Sequence, residues 1–185
     1  MSTENVILDA AEALLETTGS ANLTTRAVCE AAGVKSPTLY HYFGDKDGLE
    51  RALIKRGMAK FMQQKRTPQK TTDPLKLLRV GWDIALEFAL EHPALYSLLA
   101  HHARTEPDLI AESFALMHGR VQRLVDMGIF RCSVDEGARA IWAASQGALS
   151  LVRKGYVRKE VKATSELLFN AVINELSCVA RSSSA

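Results

Sequence analysis

The sequence predicts an all-α fold, with a small N-terminal helical module followed by a larger helical bundle. Three observations carry this reading. Only five prolines and 11 glycines interrupt the 185 residues, and the stretches between them place apolar residues three and four apart, the period of a helix with one buried face. No alternating apolar–polar run long enough to make a strand occurs, and no internal repeat. One polar segment, "RTPQKTTDP" with Pro68 and Pro74, breaks the helical pattern and marks the best boundary. The expected division is residues 1–50 for the first module, with its last helix running on to about 66, and 67–185 for the bundle.

The elements follow in order. Val6, Ala10, Ala13, Leu14 and Thr17 define the apolar stripe of a first helix, with Glu4, Asp9, Glu12 and Glu16 elsewhere and Gly19 ending it. Thr24 and Thr25 can cap a second helix, "TRAVCEAA", which stops at Gly33, a residue free to adopt the left-handed conformation of a C-cap. Ser36 is expected to cap a third helix, with Pro37 at its first position, where a missing N–H costs nothing. Gly44 closes that helix, and Asp45 caps a fourth from Lys46 to about Lys65. Beyond the boundary, helices are expected over Pro74–Glu91, Pro93–His101, Pro107–Met127, Val134–Arg153 and Lys159–Ala180, before a short polar tail, "RSSSA".

Composition excludes several classes. A formal charge of +2 is too small to argue for a polyanionic partner by itself. Its distribution is more telling. Between Lys35 and Lys70 lie nine basic residues (Lys35, Lys46, Arg51, Lys55, Arg56, Lys60, Lys65, Arg66, Lys70) against Asp45, Asp47 and Glu50, an excess able to attract phosphates or simply to solvate a helix face. Cys29, Cys132 and Cys178 are odd in number and widely separated, which argues against a disulfide framework or a cysteine zinc site and for a reducing compartment. The N-terminus lacks a basic leader, and no apolar run approaches the roughly 18 residues a membrane span needs. The expectation is a cytoplasmic protein with no membrane association.

The residues from Thr24 to Gly44 have the dimensions of a helix-turn-helix: two short helices joined across "AAGVKS". Gly33 makes the turn, Val34 packs inward, and Ala27, Val28, Ala31 and Leu39 fill a small core. Leu39 and Phe43, four apart, share the buried side of the third helix. Pro37, Thr38, Tyr40, His41 and Tyr42 are distributed around its remaining arc. The first residues of such a helix are the ones that reach base edges in a major groove. Lys35 can make a bidentate contact to guanine, Ser36 and Thr38 can donate or accept, and Pro37 or the Thr38 methyl can touch a thymine methyl. Thr25 at a helix N-terminus suits an anion, and Lys46 and the Tyr42 hydroxyl can reach the same phosphate backbone.

Leu23 to Leu53, "LTTRAVCEAAGVKSPTLYHYFGDKDGLERAL", resembles the DNA-binding region of the tetracycline-repressor (TetR) family. The family pattern is met in order at Thr24, Arg26, Ala32, Gly33, Val34, Leu39, Tyr40, Tyr42, Phe43, Lys46 and Leu49. With the preceding helix the resemblance spans about the first 55 residues. It implies phosphate contacts at Thr25, Tyr42 and Lys46. It implies a groove-facing set at Lys35, Ser36, Pro37, Thr38, Tyr40 and His41. Cys29 stands where the family carries a small apolar residue and is expected in the core.

The resemblance further implies a C-terminal domain that forms a homodimer through its last two helices and encloses a small-molecule effector. Ala138, Ile141, Trp142, Ser145, Gly147, Ala148 and Leu149, with Leu167, Leu168, Ala171, Val172 and Leu176, suit either a dimer seam or an intramolecular core. Candidates for a pocket are Trp82, Phe88, Tyr96, His101, His102, Phe114, Met117, His118, Trp142 and Gln146, a lining fit for a lipophilic or aromatic effector. His101 and His102 point in different directions as helix neighbours, and no metal or cofactor is expected. The function implied is a sequence-specific transcriptional regulator, a dimeric repressor released from a pseudo-palindromic double-stranded DNA operator. The alternatives are an activator, a regulator without a ligand, and, more distantly, a helical interaction protein or enzyme that has lost DNA binding. No nucleophile elbow, HExxH or glycine-rich phosphate loop is present, so no catalysis is expected.

Overall fold

A computed structural model describes residues 2–177. Cys178, the expected end of the last helix at Ala180 and the "RSSSA" tail lie outside the described residues. Among those described, there are nine α-helices and no strand: α1 (Thr3–Thr18), α2 (Thr25–Ala32), α3 (Ser36–Phe43), α4 (Lys46–Arg66), α5 (Pro74–Glu91), α6 (Pro93–His102), α7 (Asp108–Asp126), α8 (Val134–Arg153) and α9 (Arg158–Ser177), with a single 3₁₀ turn at Ser20–Asn22. None of these helices is long and apolar enough to cross a membrane.

The helix ends are written in the sequence. Ser2 accepts from Asn5 N–H to start α1, Thr24 Oγ1 accepts from Ala27 N–H to start α2, and Asp45 Oδ1 accepts from Gly48 N–H at 2.7 Å to start α4. Asp73 accepts from Leu75 and Lys76 ahead of α5. Ser133 and Glu136 form a reciprocal capping box on α8. One expectation is corrected here. The cap of α3 is Lys35, with no side-chain hydrogen bond, and Ser36 is already helical. Lys35 supplies extended backbone (ψ 151°) and so leaves its own side chain uncommitted to the cap.

The chain forms two compact units, Met1–Gln63 with Glu91–Leu109, and Gln64–Leu90 with Ile110–Ala185. The division falls inside α4, and α6 joins the first unit although it follows the polar segment 67–73.

In the first unit α1 buries Ile7, Leu8, Ala11 and Leu15, one position away from the stripe read from the sequence. Val6, Ala10 and Leu14 lie half-buried at its edge, while Ala13 and Thr17 are exposed. Apolar residues surround this helix on most sides, so periodicity alone did not select the face that packs on α2 and α6. Ala31 is also exposed; the small core is built from Leu23, Val28, Cys29 and Leu39. From α6 the unit buries Leu95, Tyr96, Leu98, Leu99 and His102. A Cβ on Gly57 of α4 would lie 2.4 Å from Leu95 Cδ2, so that glycine lets α6 approach closely.

The second unit packs Leu78 and Trp82 of α5, Val121 and Leu124 of α7, Phe130 between α7 and α8, Ile141 and Ala148 of α8, and Phe169 and Ile173 of α9 into one core. The Trp82 indole meets Phe169 edge-on at 5.2 Å between centroids and donates its N–H to Ser165 Oγ at 2.8 Å, satisfying a buried donor. Gly137 brings α8 against α7: its missing Cβ would sit 3.1 Å from both Val121 Cγ1 and Cys132 Sγ. Ala138, Ile141, Ala148 and Leu149 are buried within this unit, which resolves the seam-or-core choice in favour of core for those four.

Candidate nucleic-acid interface and candidate effector site

The turn between α2 and α3 rests on Gly33, held at φ 65°, ψ 29°. Gly33 N–H bonds Glu30 O and Val34 N–H reaches back to Cys29 O at 3.0 Å, a turn that closes the carbonyl end of α2. Val34 is half-buried and Leu39 is fully buried. With these two anchors α3 turns its other sides outward. Lys35, Ser36, Pro37 and His41 are exposed, Thr38 is half-buried, and Tyr40 and Tyr42 are 48% and 43% exposed. His41 packs edge-on to Tyr42 and Tyr42 tilts against Phe43, so the rings brace one another on the surface.

Of the three residues expected at phosphates, Tyr42 lies in the last turn of α3 and the other two open the neighbouring helices. Thr25 occupies the first position of α2, where the N–H groups of a first turn have no intrahelical acceptor. Lys46 opens α4 and lies 3.4 Å from Glu50. Its position depends on Gly48: a Cβ there would stand 1.9 Å from the Phe43 carbonyl oxygen. The first turn of α4 is therefore folded directly onto the last turn of α3. Sequence reading missed Gly48, although a glycine three residues past a capping aspartate is a signal worth weighing.

Glu50 is the second residue not foreseen. It is buried, and beyond Lys46 it meets His102 Nε2 at 3.0 Å. His102 Nδ1 faces Glu106 at 3.5 Å, and Glu106 accepts from Arg51 Nε at 2.8 Å. That Arg51 hydrogen bond holds the Glu106 carboxyl below the ordinary carboxylate range. His102, a candidate for the pocket, is thus engaged in tying α6 to α4 within the first unit.

The basic run after Lys35 is also partly committed. Arg51 pairs with Glu106, Arg56 with Asp9 and Glu12, Lys60 with Glu12 at 2.7 Å, and Arg66 with Glu112. The excess counted in the sequence therefore overstates the field open to phosphates. Four of its cations are neutralised locally by carboxylates distant in sequence.

The remaining pocket candidates divide between the units. Tyr96 is buried in the first. In the second, Trp82 and Phe88 are buried, while Phe114, Met117, His118, Trp142 and Gln146 are half-buried. Phe114 stacks edge-on with Trp142 at 5.4 Å and tilts against His118 at 6.1 Å; His118 Nε2 lies 3.2 Å from Asp135. Met117 packs on the core. Phe114, His118 and Trp142 make one group of rings on α7 and α8.

Lys65, unremarked among the basic residues, is buried at the end of α4 and donates to Ser113 Oγ at 3.0 Å. Burial, reinforced by the nearby Arg120 charge, pushes its ammonium down to about 8. Arg120 is likewise lowered, by burial first and by Arg123 second.

Residues 7–53 match the family model described as bacterial regulatory proteins, tetR family, and residues 78–176 match that of the tetracyclin repressor-like C-terminal domain. No curated protein matches the chain at a significant level. Among solved structures, a TetR-like transcriptional regulator from Rhodococcus sp. RHA1 is 21% identical, with 92% of this chain and 93% of that one covered and a TM-score of 0.68. The fatty acid degradation regulator FadR from Bacillus halodurans is 17% identical over 94% and 95% of the two chains, TM-score 0.76. RolR, solved in complex with resorcinol, is 15% identical over 96% and 89%, TM-score 0.70.

Proposed function

The chain belongs to the TetR family of transcriptional regulators, and on that premise we propose that it is a dimeric repressor that leaves a pseudo-palindromic operator when a small molecule binds. The family consists of DNA-binding regulators and not enzymes. The observation that carries the proposal is the outward presentation of α3. Lys35, Ser36, Pro37, Tyr40 and His41 are exposed beside half-buried Thr38, Tyr42 stands in the last turn of α3, and Thr25 and Lys46 open the helices on either side. In this reading the former set reads base edges in the major groove, and Thr25, Tyr42 and Lys46 hold phosphates.

Dimerisation is supported by what α8 and α9 leave uncovered. Leu167 is 68% exposed, and Ala143, Gly147 and Ala171 are exposed on the same two helices. A large apolar side chain among small residues suits the close approach of a second copy. Two copies would then present two recognition helices to half-sites about one DNA turn apart. The effector domain is assigned to residues 67–185 and the DNA-binding domain to 1–50 with the linking helix. The half-buried Phe114, Met117 and Trp142 supply an aromatic and methionine lining for a lipophilic or aromatic compound. RolR's complex with resorcinol is a precedent for such a ligand on this fold.

Selection of the purified protein on a random duplex DNA library at moderate salt tests this. An enriched inverted repeat is expected. Binding without enrichment that disappears as salt rises would mean contacts to the backbone only, and would overturn sequence-specific regulation.

A further inference from the structure

A line of charged groups leads from the head of α4 into the interior of the first unit. Lys46 Nζ lies 3.4 Å from Glu50 Oε1, and Glu50 Oε2 lies 3.0 Å from His102 Nε2. On the far side of the ring, Nδ1 faces Glu106 Oε1 at 3.5 Å, and that same oxygen accepts from Arg51 Nε at 2.8 Å. Lys46 is exposed and Arg51 half-buried, whereas Glu50 and His102 between them are buried. The exposed end of the line is therefore the ammonium assigned above to a phosphate.

Both nitrogens of His102 face carboxyl oxygens. A neutral imidazole has one N–H, so it donates to one of them and turns a lone pair on the other; an imidazolium donates to both. Glu106 does not relieve this by taking a proton, because the Arg51 hydrogen bond holds it below the ordinary carboxylate range. The proton belongs to the Glu50–His102 pair, and Glu50 has two cations to draw on: His102 when that proton is present, and Lys46. Other charged groups stand further off. The His101 ring lies edge-on to His102 at 5.5 Å between centroids and is exposed. Helix α1 meets α6 through Glu16 and His92, 3.5 Å apart, at the opposite end of α6. The turn Ser20–Asn22, which also packs on α6, brings no titratable side chain.

We propose that Glu50 and His102 are positioning residues for the phosphate contact of Lys46, and that operator binding draws a proton onto this pair. The inference rests on the DNA-binding reading above and names what sets one of its contacts. When Lys46 turns to a phosphate, the buried Glu50 gives up its ammonium, and a buried carboxylate without a cation is unfavourable. The imidazolium is the cation at hand. With the ring neutral, Glu50 has Lys46 alone and holds it back from the DNA. A phosphate close by adds negative potential in the same sense. Binding that takes up protons tightens as pH falls, by up to about tenfold per pH unit for each proton taken up. Histidine is the side chain whose charge can change between about pH 5 and 8.

The test is titration calorimetry of the full chain with the selected operator from about pH 6 to about pH 8, in pairs of buffers with different ionisation enthalpies, which counts the protons taken up. His102→Gln and Glu50→Gln are compared with the unsubstituted protein. Each removes a proton site and leaves an amide that can still hydrogen-bond; circular dichroism checks that they fold, and if one does not, the other carries the comparison. Exposed His41 on α3 can itself take up protons beside phosphates, so the count is read as a difference between proteins. The unsubstituted protein should take up more protons per protomer than either variant, and its Kd should tighten about threefold or more relative to theirs on acidification across that range. In a Lys46→Ala background, His102→Gln should no longer change the count. Equal uptake by the unsubstituted protein and the variants, or a His102-dependent uptake that persists without Lys46, would overturn the proposal while leaving the DNA-binding reading intact. No binding of the unsubstituted protein to any duplex would overturn that reading, and this inference with it.

Discussion

Substituting alanine for glycine at two helical positions should move stability in opposite directions. Gly119 lies inside α7 with nothing within 4 Å of where a Cβ would go. Gly119→Ala gains helix propensity and narrows the unfolded ensemble, together worth about 1 kcal/mol of stabilisation. Gly48→Ala has the same local gain, but its Cβ would stand 1.9 Å from the Phe43 carbonyl oxygen and 3.0 Å from the Phe43 carbonyl carbon. Backbone cannot rotate away as a side chain can. Relieving the overlap means moving α4 off the end of α3, an overpacking cost of about 1–3 kcal/mol or more. Because so short an approach to backbone calls for the upper end of that range, the net expectation is a loss of roughly 2 kcal/mol, together with weaker operator binding because Lys46 moves with α4. Urea unfolding can separate the two variants. Trp82 and Trp142, the two tryptophans, both report on the second unit, while far-ultraviolet circular dichroism reports on both. Gly119→Ala should shift the fluorescence transition upward; Gly48→Ala should lower the dichroism transition. A neutral or stabilising Gly48→Ala would refute the close contact between α3 and α4.

Three further outcomes are expected. Because burial lowers the Lys65 ammonium from 10.5 to about 8, the unfolded chain binds the extra proton between those values and stability should rise with pH across that window. Each pH step is worth about 1.4 kcal/mol, giving about 3 kcal/mol in all; Cys132, raised by burial, opposes this at the alkaline end, so the profile is read as the difference from Lys65→Met, and identical profiles would exclude it. Lys46→Ala should weaken binding to all duplexes and reduce the salt slope by about 0.9, and an unchanged slope would remove Lys46 from the phosphate contacts. Lys35→Ala or Thr38→Ala should change base preference at particular operator positions by about 1–3 kcal/mol each, measured on single-substitution operator variants; a loss uniform across sequences would assign them to the backbone.

The helices were legible because their ends are local chemistry. Val134–Arg153 and Pro74–Glu91 appear with the expected bounds, set by a capping box in one case and by Asp73 with Pro74 in the other. Gly33 was legible for the same reason, since only a left-handed turn fits between α2 and α3. What escaped were consequences of packing. The face of α1 depended on α6, nearly ninety positions away in sequence. Glu50 read as a surface acid in a basic helix until α6 brought His102 against it. Lys65 looked like one more solvated lysine, because nothing in its own helix announces that Ser113 of α7 covers it. The outward residues of α3 could be anticipated because they are contiguous; the second unit's candidates could not be sorted, because its aromatic group and its buried Lys65 are assembled from several helices.

Gly57 of α4 carries an implication for how relatives of this chain can diverge. With Leu95 Cδ2 only 2.4 Å from a hypothetical Cβ, position 57 can grow only if the Leu95 side chain shifts or shortens. A lineage that acquires alanine or serine at 57 should be found with a repacked or shorter side chain at 95, and alanine at 57 should be better tolerated with the shorter side chain than with leucine. Such a pair would link α4 to α6 as a unit of inheritance. It would also keep Glu50 and His102 facing each other through sequence drift that erases most other identities in this half of the chain.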